Sequence, residues 1–100
     1  MALPDRVSVD GYVIDALMPD LVGHDRTASA FLVYLYLWRR TRGGSRATVV
    51  SHAMVADATG LAKRSAQVAL QHLEKRRLIE VKRATATSAS TVVLRCDWRG

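Results

Sequence analysis

The stretch TGLAKRSAQVAL, residues 59–70, contains the glycine and the helical pattern that decide the fold. Gly60 stands between two segments of helical pattern, and glycine adopts left-handed turns at little cost. Beyond it, small and apolar residues recur at i, i+3, i+4 and i+7: Ala66, Ala69, Leu70 and Leu73. The stretch therefore predicts a tight turn followed by a helix over residues 63–76, with one apolar stripe.

The chain before this turn predicts two further helices and a short strand. Residues 28–41 contain no glycine or proline, and their apolar residues point in nearly every direction, which is typical of a helix covered on more than one side. A buried strand is the alternative, but the length of the run favours a helix, with Thr27 as its N-cap. The β-rich residues 47–50 then predict a small strand, and Ser51 is placed to cap a helix over residues 52–58.

The chain after this turn predicts a β-hairpin. Residues 78–83 alternate between apolar and polar side chains, as in a strand with one buried face. A turn-like run of Ala, Thr and Ser follows over residues 84–90, without Lys or Arg, and residues 91–96 are β-rich again. We expect a hairpin over residues 79–96.

The N-terminal part gives weaker signals. We expect residues 1–11 to be a flexible arm and residues 12–100 to form one domain. Residues 12–17 fit either a short helix or a strand, although Pro19 disfavours a helix just before it. Residues 22–26 are predicted to form a loop.

Composition excludes several classes of protein. Cys96 is the single cysteine, so no intrachain disulfide can form, no zinc site can use paired thiolates, and a reducing cytoplasm is indicated. The histidines share no metal-ligand spacing, and the longest apolar run, residues 30–38, is too short to cross a bilayer. Ser51 and His52 are adjacent, so they do not face each other as a catalytic pair would. We expect no enzyme activity, no metal, no cofactor and no membrane partner.

The net charge of +6 is unevenly distributed. Residues 1–38 hold two basic and five acidic residues, a net charge of −3, whereas residues 39–100 hold 13 basic and four acidic residues, a net charge of +9. This asymmetry fits a body that binds a polyanion, and it equally fits a basic surface that keeps the protein soluble. Charge alone does not distinguish polyanion binding from a role in solubility, so the sequence motif is needed to choose between them.

The segment VVSHAMVADATGLAKRSAQVALQHLEKRRLIEV, residues 49–81, resembles a winged helix-turn-helix DNA-binding domain, with the hairpin to Cys96 as the wing. The upstream run GYVIDALMPDLVGHDRTASAFLVYLYL, residues 11–37, is similar to leading segments of bacterial and phage domains of this class. The resemblance implies an α+β fold: a three-helix core, a short strand, a C-terminal hairpin wing and an N-terminal helical or extended segment. It implies a small bacterial or phage transcriptional regulator that binds double-stranded DNA sequence-specifically.

Helical geometry then selects candidate DNA-binding residues. A step of about 100° per residue turns four side chains away from the core: Arg64, Val68, Gln71 and Lys75. Arg64, Gln67 and Gln71 suit hydrogen bonds to bases, and Val68 suits a thymine methyl group or is an ordinary surface residue. The expected phosphate contacts are Lys63 and Ser65 at the helix start, and Lys82 and Arg83 at the base of the wing. A second expected edge consists of Arg42, Arg46 and His52. Ala62 occupies the N-cap position of this helix, where a hydroxyl or amide side chain is usual.

Two other functions remain open at this stage. One is a plasmid or phage replication-initiation module, and the other is a protein-interaction module that keeps the winged fold without DNA binding. We also expect a homodimer formed through the N-terminal segment and helix 28–41, because these carry more apolar residues than one small domain easily covers.

Overall fold

The computed structural model describes residues 5–83 and 89–99 of the chain. Two π-helical segments, Val13–Leu17 and Pro19–His24, come first. The core elements follow in the order α1 (Ala28–Arg40), β1 (Thr48–Ser51), α2 (His52–Thr59), α3 (Lys63–Lys75), β2 (Ile79–Arg83) and β3 (Ala89–Leu94), and the 3-10 turn Asp97–Arg99 comes last. Three helices with a small sheet are the α+β winged helix-turn-helix architecture that the sequence predicts.

The three strands form one antiparallel sheet in the order β1-β3-β2. Val92 in the central strand lies opposite Thr48 on one side and Val81 on the other. Ile79, Val92 and Leu94 are buried, so one face of the sheet closes the bottom of the helical core. The β2–β3 pair is the predicted hairpin, and its connection, residues 84–88, lies outside the described residues, as does part of the predicted 84–90 turn.

The turn at Gly60 has the predicted left-handed backbone. Gly60 has φ +80°, and its amide donates to the Ala56 carbonyl at 2.9 Å, which ends α2. The Ser51 hydroxyl accepts from the Met54 amide at 3.1 Å and caps α2 as predicted. Ala62 begins α3 in an extended conformation and provides no side-chain cap. The left-handed backbone at Gly60 therefore sets the angle between α2 and α3, and the Thr59 hydroxyl supports the turn by accepting from the Leu61 amide at 3.3 Å.

The predictions for the start of α1 and for the last strand were each wrong in part. Thr27 occupies the N-cap position of α1, but its hydroxyl does not cap the helix and donates instead to the Leu21 carbonyl at 3.2 Å. The Thr27 amide donates to the same carbonyl at 2.8 Å, so the backbone of Thr27 already holds its hydroxyl next to Leu21. The last strand spans residues 89–94 instead of 91–96, because Ala89 and Ser90 pair with Ser51 and Val50 of β1.

The N-terminal segment is helical where the sequence indicated a loop. The chain stays helical through Pro19 to His24, so the loop predicted over residues 22–26 was wrong at its first three positions. Pro19 is the first residue of the second π-helical segment, directly after Met18, whose amide donates to the Val13 carbonyl and completes the first segment. Val13, Leu17 and Leu21 recur every four residues and are buried, and this packing outweighs the weak local propensity.

This N-terminal segment covers α1, which otherwise packs against α2 and α3. The indole Nε1 of Trp38 donates to the Ser8 carbonyl at 2.8 Å, and Tyr12 stacks on Trp98 of the C-terminal turn with ring centroids 4.8 Å apart. The helix predicted to be covered on more than one side is thus covered within one chain. In the described part of the chain, no helix has the length and apolar content needed to span a membrane.

Candidate nucleic-acid interface

The outer side of α3 is exposed along its length. Helical periodicity keeps four of its residues exposed, and we call them the outer stripe: Arg64, Val68, Gln71 and Lys75. Lys63, at the first turn, is also exposed, whereas Ser65 and Gln67 are half-buried on the two sides of the stripe. Val68 exposes 42% of its surface in the middle of this polar stripe, so an apolar contact point is available there.

A groove of about 130 Å³ separates α3 from the sheet, and we call it the wing groove. Polar residues from α2, α3, β2 and β3 line it: His52, Gln67, Gln71, Glu74, Arg83 and Ser90. Its floor is formed by apolar side chains of the core, which include Val50, Leu70 and Val92. The fold thus brings His52 and Arg83 beside the two glutamines of α3, a proximity that sequence spacing could not show.

The two basic residues at the base of the wing face opposite sides of the sheet. Arg83 lines the wing groove, and its Nη2 donates to Glu74 Oε1 at 3.0 Å. Lys82, the preceding residue in β2, is exposed and points to the other face because strand side chains alternate. Arg83 therefore has a carboxylate partner that the sequence analysis did not foresee, and the two residues do not form one patch.

Arg46 lies apart from the other candidates. It is exposed and precedes β1, whereas His52 follows the last residue of that strand. The end of β1 nearest His52 pairs with the start of β3, next to the wing connection, and the end nearest Arg46 pairs with Val92. The structure does not place Arg46 beside His52 as one edge.

A cluster of two carboxylates and two basic groups joins the N-terminal helix to α3, and we call it the Asp25 cluster. Oδ2 of Asp25 accepts from His72 Nε2 at 2.7 Å and also from Arg76 Nη1. The other nitrogen of the same guanidinium, Nη2, donates to Asp20 Oδ2 at 2.5 Å. Arg76 is therefore shared between two carboxylates that come from a different part of the chain.

The cluster favours the charged forms of Asp25 and Arg76. Hydrogen bonds from His24, then from His72 and Arg76, hold the pKa of Asp25 well below its usual range. The hydrogen bond to Asp20, and then that to Asp25, raises the pKa of Arg76 above its ordinary value. The acidic partners of Arg76 were not predicted from the sequence. The available signal was the acidic excess of residues 1–38, which gave no indication of which basic residue it would meet.

The neighbouring His24 approaches the two carboxylates of the cluster as a metal ligand would. One oxygen each of Asp20 and Asp25 and one nitrogen of His24 lie within 4.8 Å of one another. Oδ2 of each carboxylate already accepts from Arg76, and Oδ1 of Asp25 lies 3.0 Å from His24 Nδ1. Ion pairing within the chain therefore explains this arrangement.

Comparison with known proteins agrees with this geometry. A family model described as a helix-turn-helix domain matches residues 27–79, from the start of α1 to the start of β2. Neither a curated protein nor a solved structure matches the chain. The matched region covers more than half of the sequence and contains α2, the Gly60 turn and α3. The chain belongs to this helix-turn-helix domain family, whose membership indicates DNA binding, and its β2–β3 hairpin makes it a winged member.

Proposed function

We propose that this protein binds duplex DNA sequence-specifically as a small transcriptional regulator, with α3 in the major groove and the hairpin 79–96 as wing. One observation carries the proposal: the outer stripe of α3 is exposed and polar, and it lies beside a groove that the wing closes. The major groove of B-DNA is wide enough to admit an α-helix. A helix supported by its apolar stripe and flanked by a wing is suited to enter it.

We assign base recognition to residues of α3 that lie on the outer stripe or line the wing groove. The guanidinium of Arg64 can pair bidentately with guanine, and the amides of Gln67 and Gln71 can pair bidentately with adenine. Val68 lies between these polar residues and suits the methyl group of thymine. Arg64 is on the first turn of α3, and recognition helices contact bases chiefly through their N-terminal residues.

Phosphate contacts belong to the residues around this stripe. Lys63 and Ser65 lie on the first turn of α3, where backbone amides and the helix dipole also attract anions. His52 at the start of α2 lies beside the same region, and Lys75 lies at the far end of the stripe. Lys82 is proposed as a phosphate contact from the other face of the wing. Arg83 would exchange Glu74 for a phosphate, since an exposed ion pair holds it by only about 0–1 kcal/mol. Arg46 is proposed as a separate contact beyond the sheet.

The first experiment separates base reading from phosphate contact. A preferred duplex is first selected from random DNA, and each variant is titrated against that duplex and against random-sequence DNA over a salt series. Arg64→Ala should cost about 1–3 kcal/mol on the preferred duplex and much less on random DNA. Lys82→Ala should weaken both by a similar factor and lower the salt slope by about one unit.

Arg6→Ala is the matched control, because it removes one exposed positive charge from the N-terminal part of the chain. It should change both affinities less than Lys82→Ala does. If Arg64→Ala lowers both affinities equally, Arg64 is a phosphate contact and α3 is docked in another rotation. If the protein binds duplex DNA with no salt dependence, or does not bind it, the proposal fails.

Two alternative functions are compatible with the same fold, and DNA-binding experiments distinguish them. A replication-initiation module would also bind duplex DNA, but its selected sites would belong to replication origins and not to promoters. A protein-interaction module would show no salt-dependent affinity for DNA. Family membership favours DNA binding over catalysis and over the interaction module, and DNA binding together with the single cysteine favours a cytoplasmic location.

We also propose that two copies associate through the N-terminal segment and the exposed side of α1. Ile14, Met18 and Val22 recur every four residues beside the buried stripe of this segment, and they expose 40%, 36% and 40% of their surface. Leu32 on α1 exposes 45%. Residues 1–38 carry a net charge of −3, so a surface there is repelled by DNA and stays available to a second copy. Such a dimer would present two α3 helices to half-sites about one DNA turn apart.

A further inference from the structure

The Asp25 cluster contacts α3 at two points that are one turn apart. His72 and Arg76 are separated by four residues, so both lie on the same side of the helix. Asp25 touches both of them, and its side chain is only 9% exposed. The opposite side of α3 lines the wing groove through Gln67 and Glu74. The cluster therefore holds the side of α3 that the wing does not hold.

Two contacts on one side restrict the rotation of a helix about its own axis. The apolar stripe under the first half of α3 consists largely of Ala66 and Ala69, whose methyl groups interlock little with their neighbours. A roll of about 20° moves a side chain about 6 Å from the helix axis by about 2 Å. This exceeds the range of a hydrogen bond, whose donor–acceptor distance varies by about 0.5 Å. Base recognition by α3 thus depends on what prevents the roll.

We propose that Asp25 is a positioning residue for sequence recognition, because it fixes the rotation of α3 in the major groove by holding His72 and Arg76. The inference rests on the proposed DNA binding and deepens it. Asp25 itself touches no base and no phosphate. Because Arg76 is held by Asp20 and Asp25, its charge is also withheld from DNA, and the C-terminal end of α3 contributes less non-specific attraction than its sequence implies.

Asp25→Asn and Arg76→Lys test the proposal from both partners. Asparagine keeps the size of Asp25 but loses the charge, and a lysine ammonium cannot serve two carboxylates as the planar guanidinium does. Each variant should lower affinity for the preferred duplex by between about twofold and thirtyfold, the range expected for residues that act through others. Affinity for random-sequence DNA should hardly change with Arg76→Lys, which keeps the net charge.

Asp57→Asn is the matched control for the charge change. Asp57 is exposed on α2, and no ion pair involves it in the described part of the chain. Its variant should raise affinity for both DNAs by a similar small factor, because one negative charge is removed. Asp25→Asn should do the same on random DNA and the reverse on the preferred duplex. This opposite response is not produced by partial unfolding, which lowers both affinities together.

Each outcome of these titrations either supports or overturns the positioning role of Asp25. Selective loss on the preferred duplex in both variants, with circular dichroism unchanged, supports positioning by Asp25. Equal changes on the two DNAs would overturn it, since Arg76 would then be a phosphate contact or the cluster merely structural. If Asp25→Asn does not fold, Arg76→Lys decides by the same criterion. If the unmodified protein shows no preferred duplex, the proposed function fails as well, whereas an unchanged preference in both variants rejects this inference alone.

Discussion

Gly60 is the residue at which the backbone itself determines the motif. Its φ of +80° lies in the left-handed region, and a Cβ placed there would meet no heavy atom within 4 Å. Gly60→Ala should therefore destabilise the fold by about 1–2 kcal/mol through backbone strain alone, without a steric clash. Urea unfolding at equilibrium measures this as a lower midpoint with an unchanged slope.

Gly23 provides the opposite case in the same chain. It lies in the second π-helical segment without a positive φ, and a Cβ there also meets no heavy atom within 4 Å. Gly23→Ala should raise the free energy of unfolding by about 0.5–1 kcal/mol, because alanine loses less conformational freedom in a helix. A similar loss of stability in both variants would show that the conformation at Gly60 is not the cause.

The two helices of the motif differ in how they begin. The Ser51 hydroxyl caps α2, whereas α3 begins at Ala62 with no cap, although the extended backbone of Ala62 suits one. Ser51→Ala should lower the free energy of unfolding by about 1 kcal/mol, and Ala62→Ser should raise it by up to about 1 kcal/mol. Thermal unfolding followed by circular dichroism measures both shifts.

Ala62→Ser also tests where α3 begins, and therefore which residues lie on its first turn. Ala62→Ser adds no charge, so it should leave the salt slope of DNA binding unchanged while making the first turn of α3 firmer. Destabilisation by Ala62→Ser would mean that α3 begins elsewhere than at Lys63. The residues Lys63 and Arg64 would then not occupy the first turn from which contact with DNA is proposed.

At the scale of the whole molecule, the N-terminal third combines exposed apolar side chains with acidic charge. We expect light scattering at micromolar concentration to give twice the mass of one chain. Met18→Lys should shift the population toward monomers, because it puts a charge in the centre of the Ile14, Met18 and Val22 stripe. Val49→Lys is the control, since Val49 is 54% exposed on β1, outside that stripe.

The monomeric mass of the unmodified protein, both free and on DNA, would reject the dimer. The N-terminal segment would then serve only to cover α1, a role that Val13, Leu17 and Leu21 already fill within one chain. Persistence of the dimer in Met18→Lys would place the interface on another surface. Either result leaves the proposed reading of DNA by α3 to its own test.

The amino-acid sequence by itself determined the helix-turn-helix motif, because its signals are local. Periodicity placed α1 and α3 within one residue of their observed ends, Ser51 predicted a cap, and Gly60 predicted the turn. Exposure of Arg64, Val68, Gln71 and Lys75 followed from the same periodicity. These features depend on residues no more than a few turns apart, so they are readable without the fold.

Only the tertiary structure decided what depends on residues far apart in the chain. The helix through Pro19 to His24 exists because packing on α1 outweighs local propensity. The sequence pattern alone predicts a loop at its last three residues, 22–24. Arg76 forms ion pairs with Asp20 and Asp25, and Arg83 forms one with Glu74. Arg64 carries the same charge but is exposed to solvent. Charge composition gives the number of such groups, but long-range packing selects their partners. That selection leaves Arg64 exposed for DNA and holds Arg76 in place.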